Sequence, residues 1–130
     1  MKIVLDVSAA AEIIFCRPSR KKLASVVANA DLVLAPSLFV VEAANLIFKY
    51  HREKLFEEGK QFEYYNECLK LVDLFIPNEE LSLEVLSMAC NNKKPVYDYY
   101  YLVLARRNSA TLLTQDKVLQ SEAKKHGVNA

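Results

Sequence analysis

The segment PVYDYYYLVLARRNSATLLTQD, Pro95 to Asp116, carries two structural elements and an acid at the edge of each. Tyr97 to Arg107 reads as a helix in which Asp98 heads an apolar face, with Tyr101, Leu102 and Ala105 at its i+3, i+4 and i+7 positions. Thr111 to Thr114 is a short apolar strand, and Asp116 stands two residues past it. A helix that feeds a short apolar strand is the building unit of a parallel sheet buried on both faces.

Outward from this segment the alternation continues. Ile3 to Leu5 suits a buried strand and Ala9 to Phe15 a helix. Pro18, among Arg17, Arg20, Lys21 and Lys22, suits the start of a second helix. Leu32 to Ala35 reads as the second strand, with Pro36 and Ser37 opening a long helix to about Arg52. The charged connection KLFEEGK leads to a helix over about Gln61 to Val72, then a third strand, Leu74 to Ile76, ended by Pro77. Glu79 to Cys90 reads as helix and NNKKP as loop; Lys117 to His126 is a last helix, closed by Gly127. The expectation is one α/β domain over residues 1–130, a three-layer α/β/α arrangement around a central, mainly parallel sheet of four to five strands.

Composition narrows the function. A net charge of +1 gives no overall field toward nucleic acid or membrane, so nucleic-acid contacts would come from local patches. Two glycines, and neither G-x-x-x-x-G-K nor G-x-G-x-x-G, argue against a glycine-rich phosphate loop. MKIVLD is too short an apolar run for a signal peptide, and Leu32 to Phe48 is interrupted by Pro36, Ser37, Glu42 and Asn45, so no membrane span is expected. Cys16, Cys68 and Cys90 lack C-x-x-C spacing and read as reduced thiols of a cytoplasmic protein. His51 and His126 are not at ligand spacing from them, which argues against zinc.

Four acids stand out by position. In a parallel sheet all carboxyl ends of strands share one edge, where ligands bind. Asp6 and Asp116 each follow a strand, Glu42 lies in the first two turns of the helix after the second strand, and Asp98 is near a helix start. All four are expected at that edge. Clustered carboxylates repel one another, and a hard divalent cation is the natural remedy. A set without His or Cys favours Mg²⁺ or Mn²⁺, one or two ions, and such sites handle phosphates. The plain alternative is that Asp6, Asp98 and Asp116 are helix N-caps, and that Glu42, Asn45, Lys49 and Arg52 form a solvated helix face.

The ordered set of motifs resembles the PIN domain, and within it the VapC-type toxin ribonucleases of toxin–antitoxin pairs. IVLDVSA is similar to the family's first-strand motif, APSLFVVEAANLI to its second, PVYDYYYLVLA to its third and ATLLTQDKVL to its fourth. The resemblance implies a metal-dependent endoribonuclease that hydrolyses RNA phosphodiesters, forms homodimers and is silenced by a cognate antitoxin. It implies that Asp6, Glu42, Asp98 and Asp116 are the catalytic metal-binding acids, with Ser8, Thr114 and Asn45 supporting them. Gln115, Tyr99 and Tyr100 depart from the usual small residues and are open to pocket, core or dimer roles.

RNA needs cations near the acids. Lys117, beside Asp116, is the best placed by sequence, and Arg17 belongs to the basic cluster further up the chain. The stripe Phe62, Tyr65, Leu69 and Val72 could face the core, a twin subunit or an antitoxin helix. Two other functions fit an acid after the first strand. One is a phosphoryl-transfer domain of the receiver or haloacid-dehalogenase kind, although Asp6-Val7-Ser8 is not D-x-D. The other is a catalytically idle PIN-like module that binds RNA or protein.

Overall fold

The computed structural model describes residues 1–130. Its strands are β1 (Lys2–Leu5), β2 (Leu32–Pro36), β3 (Leu74–Ile76) and β4 (Thr111–Leu113), in the order β3-β2-β1-β4. Every neighbouring pair is parallel, with Ile3 opposite Val33 and Thr111, and Ala35 opposite Phe75. The sheet therefore has four strands, all parallel, within the expected range. Seven α-helices surround it: α1 (Val7–Ile14), α2 (Arg20–Ala28), α3 (Leu38–Arg52), α4 (Gln61–Lys70), α5 (Ser82–Asn92), α6 (Tyr97–Arg107) and α7 (Lys117–Lys125). The layers are α/β/α, as the alternation of elements predicts.

Burial explains the strand composition. Ile3, Val4 and Leu5 are all fully buried, so consecutive residues on opposite faces of β1 both meet helices. Helix α6 packs across β1, β2 and β4, and from Tyr101 to Ala105 every residue is buried. A helix in that central position has no solvated middle, which is why its apolar run is continuous rather than striped.

Three boundaries differ from expectation. Pro36 ends β2 instead of opening a helix; proline has no N–H to give the ladder, which resumes when Ser37 N donates to Ile76 O at 2.8 Å. Helix α3 starts at Leu38 because Asn78 caps it from another element: Leu38 N donates to Asn78 Oδ1 at 2.9 Å and Asn78 N donates to Ser37 Oγ at 3.0 Å. Asn78 to Glu80 accordingly form a 3₁₀ turn, and α5 begins only at Ser82. This cap fixes the first turn of the helix that carries Glu42. At the other end of the chain Gly127 has φ +72°, the left-handed turn expected after α7.

The layered core sets one expectation. Leu102→Ala, at a fully buried site, should cost about 3 kcal/mol in urea unfolding. Leu83→Ala, at a residue 85% exposed, should stay within about 0.5 kcal/mol. Equal losses at the two sites would contradict this placement of the core.

Candidate active site at the carboxyl edge of the sheet

A cavity of about 240 Å³ lies where β1 and β4 end, and all four singled-out acids line it: Asp6, Glu42, Asp98 and Asp116. Ser8 and Asn45 line it too, as do Lys49 and Tyr101. Thr114 is buried and holds Asp6 by a hydrogen bond. Four separate segments thus converge on one place. Arg17 and Lys117 are not among the lining residues: Arg17 donates to the Tyr50 hydroxyl at 2.6 Å and stacks over its ring, and Lys117 is exposed. A roomier cavity, about 390 Å³, is apolar, lies between α3 and α4, and contains none of the acids.

Asp6 is the most tightly held of the four. It caps α1, its Oδ1 accepting from Ala9 N at 3.1 Å and Ser8 Oγ at 2.7 Å, while Oδ2 accepts from Thr114 Oγ1 at 2.6 Å. Thr114 Oγ1 in turn accepts from Asp116 N at 3.0 Å, and Ser8 Oγ accepts from Gln115 N at 2.9 Å. Asp116 caps α7, accepting from Val118 N at 2.8 Å and Leu119 N at 3.2 Å. Asp6 and Asp116 are helix caps and also line the cavity, because a cap at this edge faces it. Asp98 is different. It lies inside α6, which starts without a side-chain cap, and its carboxylate accepts no hydrogen bond. The cap explanation fails for it.

Burial, and after it the neighbouring charges, raises three of the four acids. Burial pushes the Asp6 carboxyl above its ordinary value of 3.8; Thr114, Ser8 and Ala9 N oppose this, and the Asp116 charge adds to it. Burial also raises Glu42, where the Tyr101 hydroxyl opposes and the charges of Asp6 and Asp98 reinforce. Asp98 is raised by burial, then by Asp116 and Glu122, with Lys94 opposing. Raised folded values favour the protonated acids. The stability that each acid contributes is therefore complete below its ordinary value and is lost as pH rises through the raised one. At neutral pH the cluster is a local cost to the fold and an attraction for cations.

Three residues of this region carry no sequence signal as site residues. Tyr101, 2% exposed, donates its hydroxyl to Glu42 Oε1, yet its spacing from Asp98 reads simply as apolar face. Lys49 shares a helical stripe with Glu42 and Asn45, a stripe that reads equally well as solvated surface. Glu122 is 3% exposed; hydrogen bonding from Lys94 holds it down at about 2, with Tyr99 and Lys125 also donating. The tyrosines that depart from the usual small residues pack structurally: Tyr99 reaches Glu122 at 3.0 Å, and Tyr100 meets Ser82 Oγ at 2.8 Å. Arg106 and Arg107 are engaged by Glu84.

The donor set suits a hard cation, being oxygen-rich and negative, with neither Cys nor His on the cavity wall. No three Asp, Glu, His or Cys side chains converge tightly enough to enclose an ion by themselves. An ion here would keep several waters and take only one or two of the carboxylates directly, as Mg²⁺ does.

The PIN domain family profile matches residues 3–125, and the chain belongs to the PIN domain family. PIN domains are generally nucleases and generally use divalent metal ions. The structure is similar to the crystal structure of PAE2754 from Pyrobaculum aerophilum, with a TM-score of 0.75 at 20% identity, covering 95% of this chain and 81% of that one. No curated protein matches the sequence. No helix is long and apolar enough to cross a membrane.

The hydroxyl at position 114 gives a direct test of the Asp6 environment. Thr114→Val keeps the shape but removes the donor to Asp6 and the acceptor for Asp116 N, so it should cost about 1–3 kcal/mol in urea unfolding at neutral pH. Because the lost Asp6 contact favours the charged form, the deficit should narrow as pH falls through the carboxylate range. A deficit that does not change with pH would mean that Thr114 does not hold the Asp6 charge.

Proposed function

We propose that this PIN domain is a Mg²⁺- or Mn²⁺-dependent endoribonuclease, acting in the cytoplasm as the toxin of a toxin–antitoxin pair and working as a homodimer. The observation that carries the reading is the convergence of Asp6, Glu42, Asp98 and Asp116, from four separate segments, on one cavity at the carboxyl edge of the sheet. A structural reason accounts for the caps at Asp6 and Asp116 but not for Glu42, nor for Asp98, which has no hydrogen-bond partner and lies in the field of two other acids. The family match over residues 3–125 supports a nuclease over a receiver or dehalogenase domain.

Asp6, Glu42, Asp98 and Asp116 would hold one or two ions. When bound, a divalent ion supplies a lower pKa for water and stabilisation of charge on a phosphodiester. The chain supplies the rest. Ser8 and Thr114 fix the Asp6 carboxylate in place, and Tyr101 fixes Glu42, leaving other lone pairs of both acids available. Lys49, the one cation on the cavity wall, and Asn45 would meet the phosphate and orient its non-bridging oxygens. Lys117 and Arg17, outside the wall, would act on flanking phosphates. The apolar cavity between α3 and α4, with Phe62 71% exposed beside it, is a surface for the antitoxin or the second subunit.

Cleavage of a labelled single-stranded RNA with Mn²⁺, Mg²⁺ or EDTA tests the reading. Cutting should require the metal and fall at least ~100-fold in Asp6→Asn and in Asp98→Asn. Cutting that survives both substitutions would remove the support for this site.

A stability measurement checks the metal independently of RNA. Saturating Mn²⁺ should stabilise the wild type, by about 2.7 kcal/mol at roughly a hundredfold excess over Kd. Asp98→Asn should melt a few degrees higher than wild type without metal, since it relieves repulsion from Asp116 and Glu122, and should lose most of the Mn²⁺ gain. A variant that keeps the full Mn²⁺ shift would exclude Asp98 from the metal site.

A further inference from the structure

Beside the acid cavity lies a second one of about 210 Å³, and Asp98 lines both. We infer that the second cavity receives a nucleobase of the RNA next to the phosphate being cut, with Tyr97 as its stacking platform. This rests on the nuclease reading.

The two cavities differ in chemistry. The first is walled by carboxylates, whereas the second is walled largely by Pro95, Tyr97 and Val118, with Lys94 and Glu122 also lining it. Tyr97 is 59% exposed and Val118 62% exposed, on two different helices, so the cavity mouth carries apolar surface that the fold leaves uncovered. Tyr97 has no packing role comparable to its neighbours. Tyr99 is buried and bonded to Glu122, and Tyr101 is buried and bonded to Glu42, but the Tyr97 hydroxyl makes no hydrogen bond. An exposed aromatic ring beside a phosphate-handling site is what an unpaired base covers by stacking, whatever its identity.

Electrostatics favour the same occupant. Glu122 is neutralised by Lys94 and Lys125, which leaves Asp98, on the side shared with the acid cavity, as the one unpaired acid of this wall. Along the chain, Lys93 and Lys94 lie in the connection that leads into α6, and Lys117 opens α7 beside Val118, so cations flank the cavity on two sides. A strand leaving the acid cavity past Asp98 would meet a π-face for its base, and Lys93 and Lys117, which are exposed and form no ion pair, for its backbone. A duplex would not fit, because its bases are already stacked and paired.

The test combines binding and cleavage. Fluorescence anisotropy would follow a labelled single-stranded RNA, and the same backbone with abasic positions, in EDTA buffer with wild type, Tyr97→Ala and Tyr97→Phe; cleavage kinetics would follow in Mn²⁺. The inference expects Tyr97→Ala to weaken RNA binding and raise KM about tenfold while kcat changes less than about twofold, and Tyr97→Phe to retain wild-type values. It also expects wild type to bind abasic RNA about as weakly as Tyr97→Ala binds the intact strand. Unchanged melting of Tyr97→Ala would verify its fold. Intact RNA bound equally well by wild type and Tyr97→Ala, or a loss confined to kcat, overturns the base subsite. If wild type binds RNA but does not cut it, the nuclease reading fails, and the abasic comparison still decides the subsite.

Discussion

A carboxylate buried at the end of a strand needs donors, and in this chain that requirement ties the sheet to its site. Asp6 is 6% exposed and takes hydrogen bonds from Ala9 N, Ser8 and Thr114. Ser8 and the amide of Ala9 come from the first turn of α1, and Thr114 comes from the end of β4. One side chain therefore joins two strand ends and a helix start. The hydroxyl of Thr114 also receives the amide of Asp116, so the second acid is placed by the same group that holds the first. Displacing any member of this network would disturb the others, because each has one geometry in which its partners are all satisfied.

Around that anchor the remaining acids are carried by rigid elements. Glu42 rides on α3, whose start is capped by Asn78 from beyond β3 and whose carboxylate is gripped by Tyr101 of α6. Asp98 rides on α6, which is buried without a break from Tyr101 to Ala105. Neither carboxylate sits on a loop. This is the arrangement expected of a site that must keep like charges together against their repulsion, since the core and not the charges provides the free energy. The outward shell is looser. Lys49 and Asn45 are exposed, and the cations farther away are either free or engaged by other partners, as Arg17 is by Tyr50 and Lys94 by Glu122.

The network also shows why a helix cap and a functional acid need not be competing readings. The amide groups at a helix start draw a carboxylate whether or not a ligand follows. When the helix starts at the carboxyl edge of a parallel sheet, the capping acid already faces the crevice. Asp6 and Asp116 cap their helices and still border the cavity. Asp98, in the first turn of α6, makes no cap hydrogen bond and lines the same cavity.

The sequence by itself determined the alternation of elements, because short apolar runs and longer helical patterns follow from local periodicity and need no knowledge of contacts. From that alternation the parallel sheet and its shared edge follow, and with them the convergence of Asp6, Glu42, Asp98 and Asp116. Boundaries that depend on another element were not legible: Pro36 belongs to β2 because β3 lies beside it, and α5 starts late because Asn78 reaches across to α3. Only the tertiary structure decided which tyrosine does what. Tyr97, Tyr99, Tyr100 and Tyr101 are nearly contiguous and chemically identical, yet one is exposed, one holds Glu122, one meets Ser82 and one holds Glu42. A helix turns about 100° per residue, so neighbours face different surroundings, and those surroundings come from distant segments that no local pattern records.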